Sequence, residues 1–478
     1  MSDKTQQGKL TGTFGVRMAI IIVMSSIIGS GVFKKVAPMS ELLHMPWLVI
    51  LAWVLAGLIV LFGVFCIAEL SSMFPDSGGP FIWLEKIYGK LVSFLYGWAS
   101  FTVIQTAAIS SVAFVFAGAL NTFIDLPRLP ESYESMRILG IPFLDNIGAK
   151  LISCALIVGL TFINIKDTKK GGNLSLLFTL LIVICIFAVI IGAFASPVGS
   201  METFHTVSSA YPEEKIGILA FISAMVLAMR AAFWGYEGWI ALGFIGEEIK
   251  DSDKNLPKAL VIGITLVILI YLLINTAYLY VMPIDEMMAA INLDQNNIAA
   301  VLVIDKILGS GGAYVISGMI LISTFGCTNA TILLSARIYY AMARKGLFFK
   351  NAALTHSKNN TPKNALIYQG VWACLLVFSG SFDLLTDLVI IAGFTFYGLI
   401  VFGVIWLRIK MKDTPRKFKT PLYPLVPAIF VLFCIILILV SFIENPTKSL
   451  IGMGLIFSGL PFYYYWNKKN HSQKVEKV

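Results

Sequence analysis

Charge is what this sequence has least of. Of its 478 residues only 13% are Asp, Glu, Lys or Arg, while 58% are hydrophobic and the mean hydropathy is +0.83. Such a chain cannot clothe a soluble domain in polar surface, and its apolar runs are long enough for helices that cross a bilayer. Histidine is nearly missing, with four in all, and no two stand in a ligand pattern. The six cysteines (Cys66, Cys154, Cys185, Cys327, Cys374 and Cys434) lie in apolar runs without metal or redox spacing. They read as small buried hydrophobes. No His/Asp/Glu or Ser/His cluster stands at a membrane face, as a lipid-modifying enzyme requires, so the chain reads as no enzyme. A cleavable leader is not expected either. The first apolar run is long, is followed by Lys34 and Lys35, and has no small-residue cleavage site.

What is present is a series of apolar runs. Residues 14–38, 46–70, 93–123, 148–165, 173–195, 216–244, 259–281, 312–341, 364–380, 387–407, 422–442 and 449–466 predict twelve transmembrane helices. The segment 284–308 is only mildly amphipathic and is expected as short surface helices. Twelve spans leave both ends on one side. Of the 36 Lys and Arg, most fall on the side of the N-terminus. The exceptions are Lys34, Lys35, Arg128, Arg137, Lys150, Lys215, Lys306, Lys448 and the intramembrane Arg230. The positive-inside rule then places both tails in the cytoplasm of a multi-pass plasma-membrane protein. The net charge of +9 is accounted for by topology, and a nucleic-acid face is excluded.

Two runs are interrupted. The first contains Ser25-Ser26-Ile27-Ile28-Gly29-Ser30-Gly31-Val32-Phe33. Glycines flanking a serine weaken a helix at membrane depth, where broken backbone is tolerated if it lines a cavity. The alternative is that the small residues merely admit a neighbouring helix. The sixth run contains Arg230-Ala231-Ala232-Phe233-Trp234-Gly235-Tyr236-Glu237-Gly238-Trp239, again with two mid-span glycines. Spans 1 and 6 head two five-helix blocks, and interrupted helices at corresponding positions of two halves point to a transporter site. No internal sequence repeat is visible. A half-helix starting near Ser30 offers a carboxylate its positive end. Freed carbonyls near Ile27, Trp234 and Glu237 suit an ammonium group. A zwitterion, hence an amino acid, fits both.

These stretches also resemble a known family. Ile27-Ile28-Gly29-Ser30-Gly31-Val32-Phe33, Ala68-Glu69-Leu70 and Phe74-Pro75-Asp76-Ser77-Gly78-Gly79 are similar to motifs of the amino acid–polyamine–organocation superfamily. Trp234 through Trp239, Glu247-Glu248-Ile249-Lys250, Asn255-Leu256-Pro257-Lys258-Ala259, Ser323 through Asn329, and Arg337 with Ala341-Met342-Ala343-Arg344 resemble its bacterial L-type and serine/threonine exchanger branch. The resemblance is strong over Phe14–Phe349 and weak beyond. It implies an all-α leucine-transporter-type fold: a 5+5 inverted repeat with broken helices 1 and 6, plus two extra helices, working by alternating access.

Carried over, Ile27, Gly29, Ser30, Gly31, Trp234, Gly235, Tyr236, Glu237 and Gly238 form the implied substrate site. Ser30 and Gly31 N–H groups take the carboxylate, carbonyls of Ile27, Trp234 and Glu237 take the amino group, and Trp234 is the outer gate. The implied cargo is a neutral L-amino acid. A cationic amino acid or polyamine is the alternative, with a channel or membrane enzyme more remote. Gln105, Thr106, Phe394 and Thr395 are candidates for the side-chain pocket or for packing. Glu69 is expected in an ion pair or cap, and Arg230 either pairs with Glu237 or stands in an outer vestibule. Many sodium-independent members carry a lysine in span 5; the matching residue here is Ile182. Three readings follow: sodium on carbonyls of Ser25 and Ile28 and hydroxyls of Ser323 and Thr324, Arg230 as a substitute, or direct hydroxyl bonds. Sodium is the one favoured; no other cofactor and no accessory subunit is expected. The chain divides into a tail (1–12), a transport core (13–408), helices 11 and 12 (409–466) and a second cytoplasmic tail (467–478).

Overall fold

The structure, a computed structural model, describes residues 12–137, 143–211, 217–289, 299–309, 311–355, 361–379 and 382–475. Among the described residues twelve main helices follow in chain order, some interrupted, with short helices such as Pro80–Tyr88 between them. α1 is Val16–Ile27 and, after a break, Gly31–Lys34 continued through Lys35 into Val36–Leu43. α2 is Pro46–Met73, α3 Lys90–Leu120, α4 Ile147–Lys166 and α5 Thr168–Ala195. α6 is Ile218–Tyr236 and, after a second break, a 3-10 segment Ala241–Glu248. α7 is Ser252–Val281, α8 Gly312–Arg344, α9 Lys363–Ser379 and α10 Phe382–Lys410. α11 is Leu425–Glu444, and α12 is Pro446–Phe457 continued by Leu460–Val475. The only β feature among the described residues is an isolated bridge between Phe14 and Ile249.

Among the described residues, nine stretches are long and apolar enough to cross a membrane. The other three helices are broken or short. α1 has 12 residues before its break, α9 has 17, and α12 is interrupted at Ser458 and Gly459. Rows of exposed apolar side chains run along α4 (Leu151, Val158, Phe162), α5 (Leu177, Ile184, Ile191) and α11 (Leu432, Ile435, Leu439, Ile443). In water such rows would be costly; in lipid they are ordinary. The chain is a polytopic all-α membrane protein.

Its packing repeats. α1 packs on α7 as α6 does on α2; α5 packs on α8 as α10 does on α3; α3 packs on α4 as α8 does on α9. α5 meets α7 as α10 meets α2, and α1 meets α5 as α6 meets α10. Each of α2, α3 and α4 also packs on its own counterpart, α7, α8 or α9. Adding five to a helix number thus turns these contacts into one another, which is the 5+5 repeat that the residues themselves do not display. The α1–α8 contact has no comparable α6–α3 counterpart.

One expectation needs correction. The helices Ile284–Ala289 and Ala299–Leu308 do not merely lie at the surface. Ile284, Met287, Ala300, Val303 and Ile304 are buried, the first helix against the second half of α1 and the second against α8. Their apolar stripes are short, but they find a groove between longer helices. The last helix continues through Val475; residues 1–11 and 476–478 lie outside those described.

Candidate functional site

Each break has a local cause. Ile28 takes an extended conformation (φ −72, ψ 92) after its N–H closes the last turn on Met24 O at 2.8 Å. The next N–H groups, of Gly29, Ser30, Gly31 and Val32, find no backbone acceptor among the described residues. They are the unsatisfied donors of a helix start. Ser30 is 1% exposed and its Oγ has no partner there either. In α6 the helix stops at Tyr236, Glu237 is extended (φ −58, ψ 144), and Gly238 sits at φ +100, where a side chain is strained.

The two breaks lie side by side and antiparallel. A Cβ on Gly31 would stand 2.5 Å from Gly235 Cα, and one on Gly238 would stand 2.2 Å from Ser26 O. Both clashes are with backbone, so the two segments would have to shift apart to admit a side chain. Ser26 Oγ donates to Gly238 O at 3.3 Å. Tyr271 of α7 spans both breaks, its buried hydroxyl 3.1 Å from Ile27 O and 2.9 Å from Gly235 O.

Beside the crossing is a cavity of about 30 Å³, room for about two waters. It is lined by Ser26, Ile27, Gly29, Ser30 and Gly31 of α1, Trp234 of α6 with Glu237, Gly238 and Ala241, Gln105, Ala108 and Val112 of α3, and Cys327 and Thr331 of α8. The positive end of α1's second half and the negative end of α6's first half face the same space. Glu237 is the one carboxylate in this lining, and its Oε1 accepts from Tyr397 Oη at 2.6 Å.

Of the residues expected here, Ile27, Gly29, Ser30, Gly31, Trp234, Glu237 and Gly238 line the cavity. Gly235 makes the contact with α1 instead. Tyr236 departs from expectation. Its ring is packed against Trp53 and Tyr271, with centroids 5.7 and 5.2 Å away, because helical rotation turns it off the face that carries Trp234. The carbonyls of Ile27 and Trp234 are not wholly free, since the first faces Tyr271 Oη and the second accepts Glu237 N–H at 3.3 Å. Gln105 joins the lining. Thr106 and Thr395 bond to carbonyls of their own helices, and Phe394 packs on Phe233. Tyr271 and Tyr397 had no local signal in the sequence; only tertiary packing brings them in.

Between α1 and α8, hydroxyls meet carbonyls directly. Ser323 Oγ is 3.0 Å from both Ile28 O and Gly29 O, and Ser25 Oγ donates to Gly326 O at 3.3 Å. Thr324 Oγ1 donates to Ile320 O within α8, so it does not reach α1. Ile182 is buried nearby on α5, and Phe178 stacks on Phe325 with centroids 4.4 Å apart. No group of His, Cys, Asp or Glu that could hold a metal occurs among the described residues.

The remaining expected charges are also placed. Glu69, 1% exposed, accepts from Arg408 at 2.9 and 2.7 Å, from Thr420 N–H at 2.8 Å, and pairs with Arg416 at 3.1 Å. It is an ion-pair residue. Arg230 faces Asp387 of α10, not Glu237.

Two broken helices crossed at the centre of a five-plus-five bundle, with opposed helix ends facing one small cavity, define a membrane transport protein. The chain belongs to the amino acid permease family, which it matches over residues 14–464. It is similar to the b(0,+)-type amino acid transporter 1 of Mus musculus, at 29% identity over 97% of this chain and 89% of the relative. It is similar also to the large neutral amino acids transporter small subunit 2 of Mus musculus, at 30% identity over 95% and 81%. The serine/threonine exchanger SteT of Bacillus subtilis is 28% identical over 98% of this chain and the whole of that protein.

Proposed function

We propose that this permease exchanges neutral L-amino acids across the plasma membrane by alternating access, with both tails in the cytoplasm. The observation that carries the reading is the run of unsatisfied N–H groups from Gly29 to Val32, with the unpartnered Ser30 hydroxyl, facing the α6 break. An α-carboxylate is the group that satisfies them. The ammonium group is received among the carbonyls of Ile27, Trp234 and Glu237, and Trp234 occludes the site. The α3 and α8 side of the lining offers a side chain small, largely apolar contacts at Ala108, Val112 and Cys327, with Gln105 and Thr331 as uncharged polar neighbours, which supports a neutral cargo. A cavity of about 30 Å³ is too small for a whole amino acid, so α1 and α6 must part from α3 and α8 for loading.

The direct Ser323 and Ser25 bonds between α1 and α8 favour exchange without sodium. The Ser323 hydroxyl is already bonded to Ile28 O, one of the carbonyls that a cation would need, and the Ser25 hydroxyl ties α1 to Gly326 O of α8 directly. We further propose that the chain acts without an accessory subunit. The test is counterflow in proteoliposomes made from the purified chain alone, against a panel of labelled amino acids, with sodium or with choline. Saturable exchange of neutral members, equal in both salts, is expected. Preference for cationic members, or no exchange of any, would overturn the reading.

A further inference from the structure

Arg230 is an intramembrane charge that the cavity does not use. It stands four residues before Trp234, hence on the same face of α6 and one turn nearer the Ile218 end. A charge within a spanning helix costs enough that it faces a cavity or a partner. Here the partner is incomplete. Arg230 Nη2 is 3.9 Å from Asp387 Oδ1, beyond hydrogen-bond reach. The other oxygen of Asp387 is taken by Lys448 Nζ of α12 at 2.7 Å. Arg230 Nη1 is buried and has no hydrogen-bond acceptor among the described residues. Glu444 is occupied with Ser223, two turns further along α6, at 3.2 Å. Among the described side chains these two cations share Asp387, so the trio by itself carries one net positive charge, and an unspent guanidinium N–H stands one turn from Trp234. The side chains of Arg230, Asp387 and Lys448 are 17, 21 and 36% exposed, so none of the three is sealed in the protein interior.

We propose that Arg230, with Lys448 and Asp387 setting the charge around it, is an anion station outside the gate. It receives the α-carboxylate of an arriving amino acid and turns away substrates with a cationic side chain. A guanidinium suits a carboxylate through its paired donors, and a net charge of one sign at a cleft mouth enriches or depletes ligands by sign. The inference rests on the reading of the protein as a neutral amino acid exchanger and names what sets its selectivity.

The experiment uses the full chain in proteoliposomes, with labelled L-leucine and L-threonine as neutral probes and external L-lysine as competitor. Arg230→Gln and Lys448→Gln each lower the trio's charge by one, whereas Asp387→Asn raises it by one. The first two are expected to raise the external half-saturation concentration for the neutral probes. They should also strengthen lysine competition, by on the order of tenfold for one unit charge at this range. Asp387→Asn should weaken lysine competition further, and Arg230→Lys, which keeps the charge but loses the paired donors, should leave lysine competition near wild type while raising the half-saturation concentration for the neutral probes. Lys448, half-exposed, supplies the charge change even if Arg230→Gln fails to fold. If Arg230 and Asp387 form only a structural pair, Arg230→Gln and Asp387→Asn will shift competition in the same direction, which overturns the proposal. Unchanged lysine competition in a folded Arg230→Gln protein overturns it too. If the wild type exchanges neither probe, the transport reading itself fails; wild-type exchange with all variants alike sinks the station alone.

Discussion

Single residues hold the breaks open in defined ways. Tyr271 has one hydroxyl for two carbonyls, one from each broken helix. Tyr271→Phe leaves both without that donor in a buried setting, at a cost of about 1–3 kcal/mol. The expected outcome is a lower melting temperature in detergent with exchange retained but slowed; an unchanged melting temperature would show that water replaces the hydroxyl fully. The sequence made Gly31 and Gly238 visible, because glycine at membrane depth costs a helix about 1 kcal/mol against alanine. It could not reveal that their missing Cβ atoms make room for Gly235 and Ser26, since those neighbours lie more than 200 positions away. Tyr397 on Glu237 was hidden for the same reason.

At the scale of elements, the breaks in α1 and α6 were legible from composition, and so were most helix bounds. The form of the second half of α6 was not. A 3-10 segment with a kink at Ile245 carries no distinctive periodicity over so few residues. Nor did the sequence show that α3 has a π-helical turn at Ser100–Ile104, where Thr106 bonds back to Phe101 O. The α1–α8 contact is the element-level test of coupling. Ser323→Ala removes the hydroxyl that faces Ile28 O and Gly29 O. It is expected to weaken substrate affinity in sodium and choline alike, since it loosens the frame of the N–H cluster. Thr324→Ala, whose hydroxyl serves only its own helix, is expected to leave affinity unchanged. A sodium-dependent loss in either variant would restore the cation site at Ser25, Ile28, Ser323 and Thr324.

For the whole molecule, the repeat of five helices was legible only as a pair of breaks and a span count. The two halves share their packing without a visible repeat of residues, because a membrane bundle is fixed by where small and polar groups let helices meet. One end of the molecule is tied by a buried ion pair. Arg337, fully buried, bonds Glu248 at 2.7 and 3.0 Å and also reaches Thr168 at 3.3 Å, while Glu248 O accepts the N–H groups of Thr13 and Phe14. Arg337→Ala strands a buried carboxylate and should cost about 3–5 kcal/mol, seen as early thermal unfolding in detergent; a melting point equal to wild type would mean that the pair is dispensable. Orientation is tested by cysteine labelling in a background freed of the six native cysteines. A probe at Glu134 is expected to react from outside and one at Lys358, outside the described residues, to be protected; the reverse would invert the topology.

The central claim is that an amino acid binds where the two breaks cross. Equilibrium binding of a labelled neutral amino acid to the purified chain tests it most directly, comparing wild type with Gly31→Val and Trp234→Ala. A side chain at Gly31 meets the backbone of Gly235 and crowds the N–H cluster. The account predicts that Gly31→Val loses binding while remaining folded, and that Trp234→Ala binds but exchanges slowly because occlusion is lost. Near-normal binding by a folded Gly31→Val protein would contradict the account and move the site away from α1.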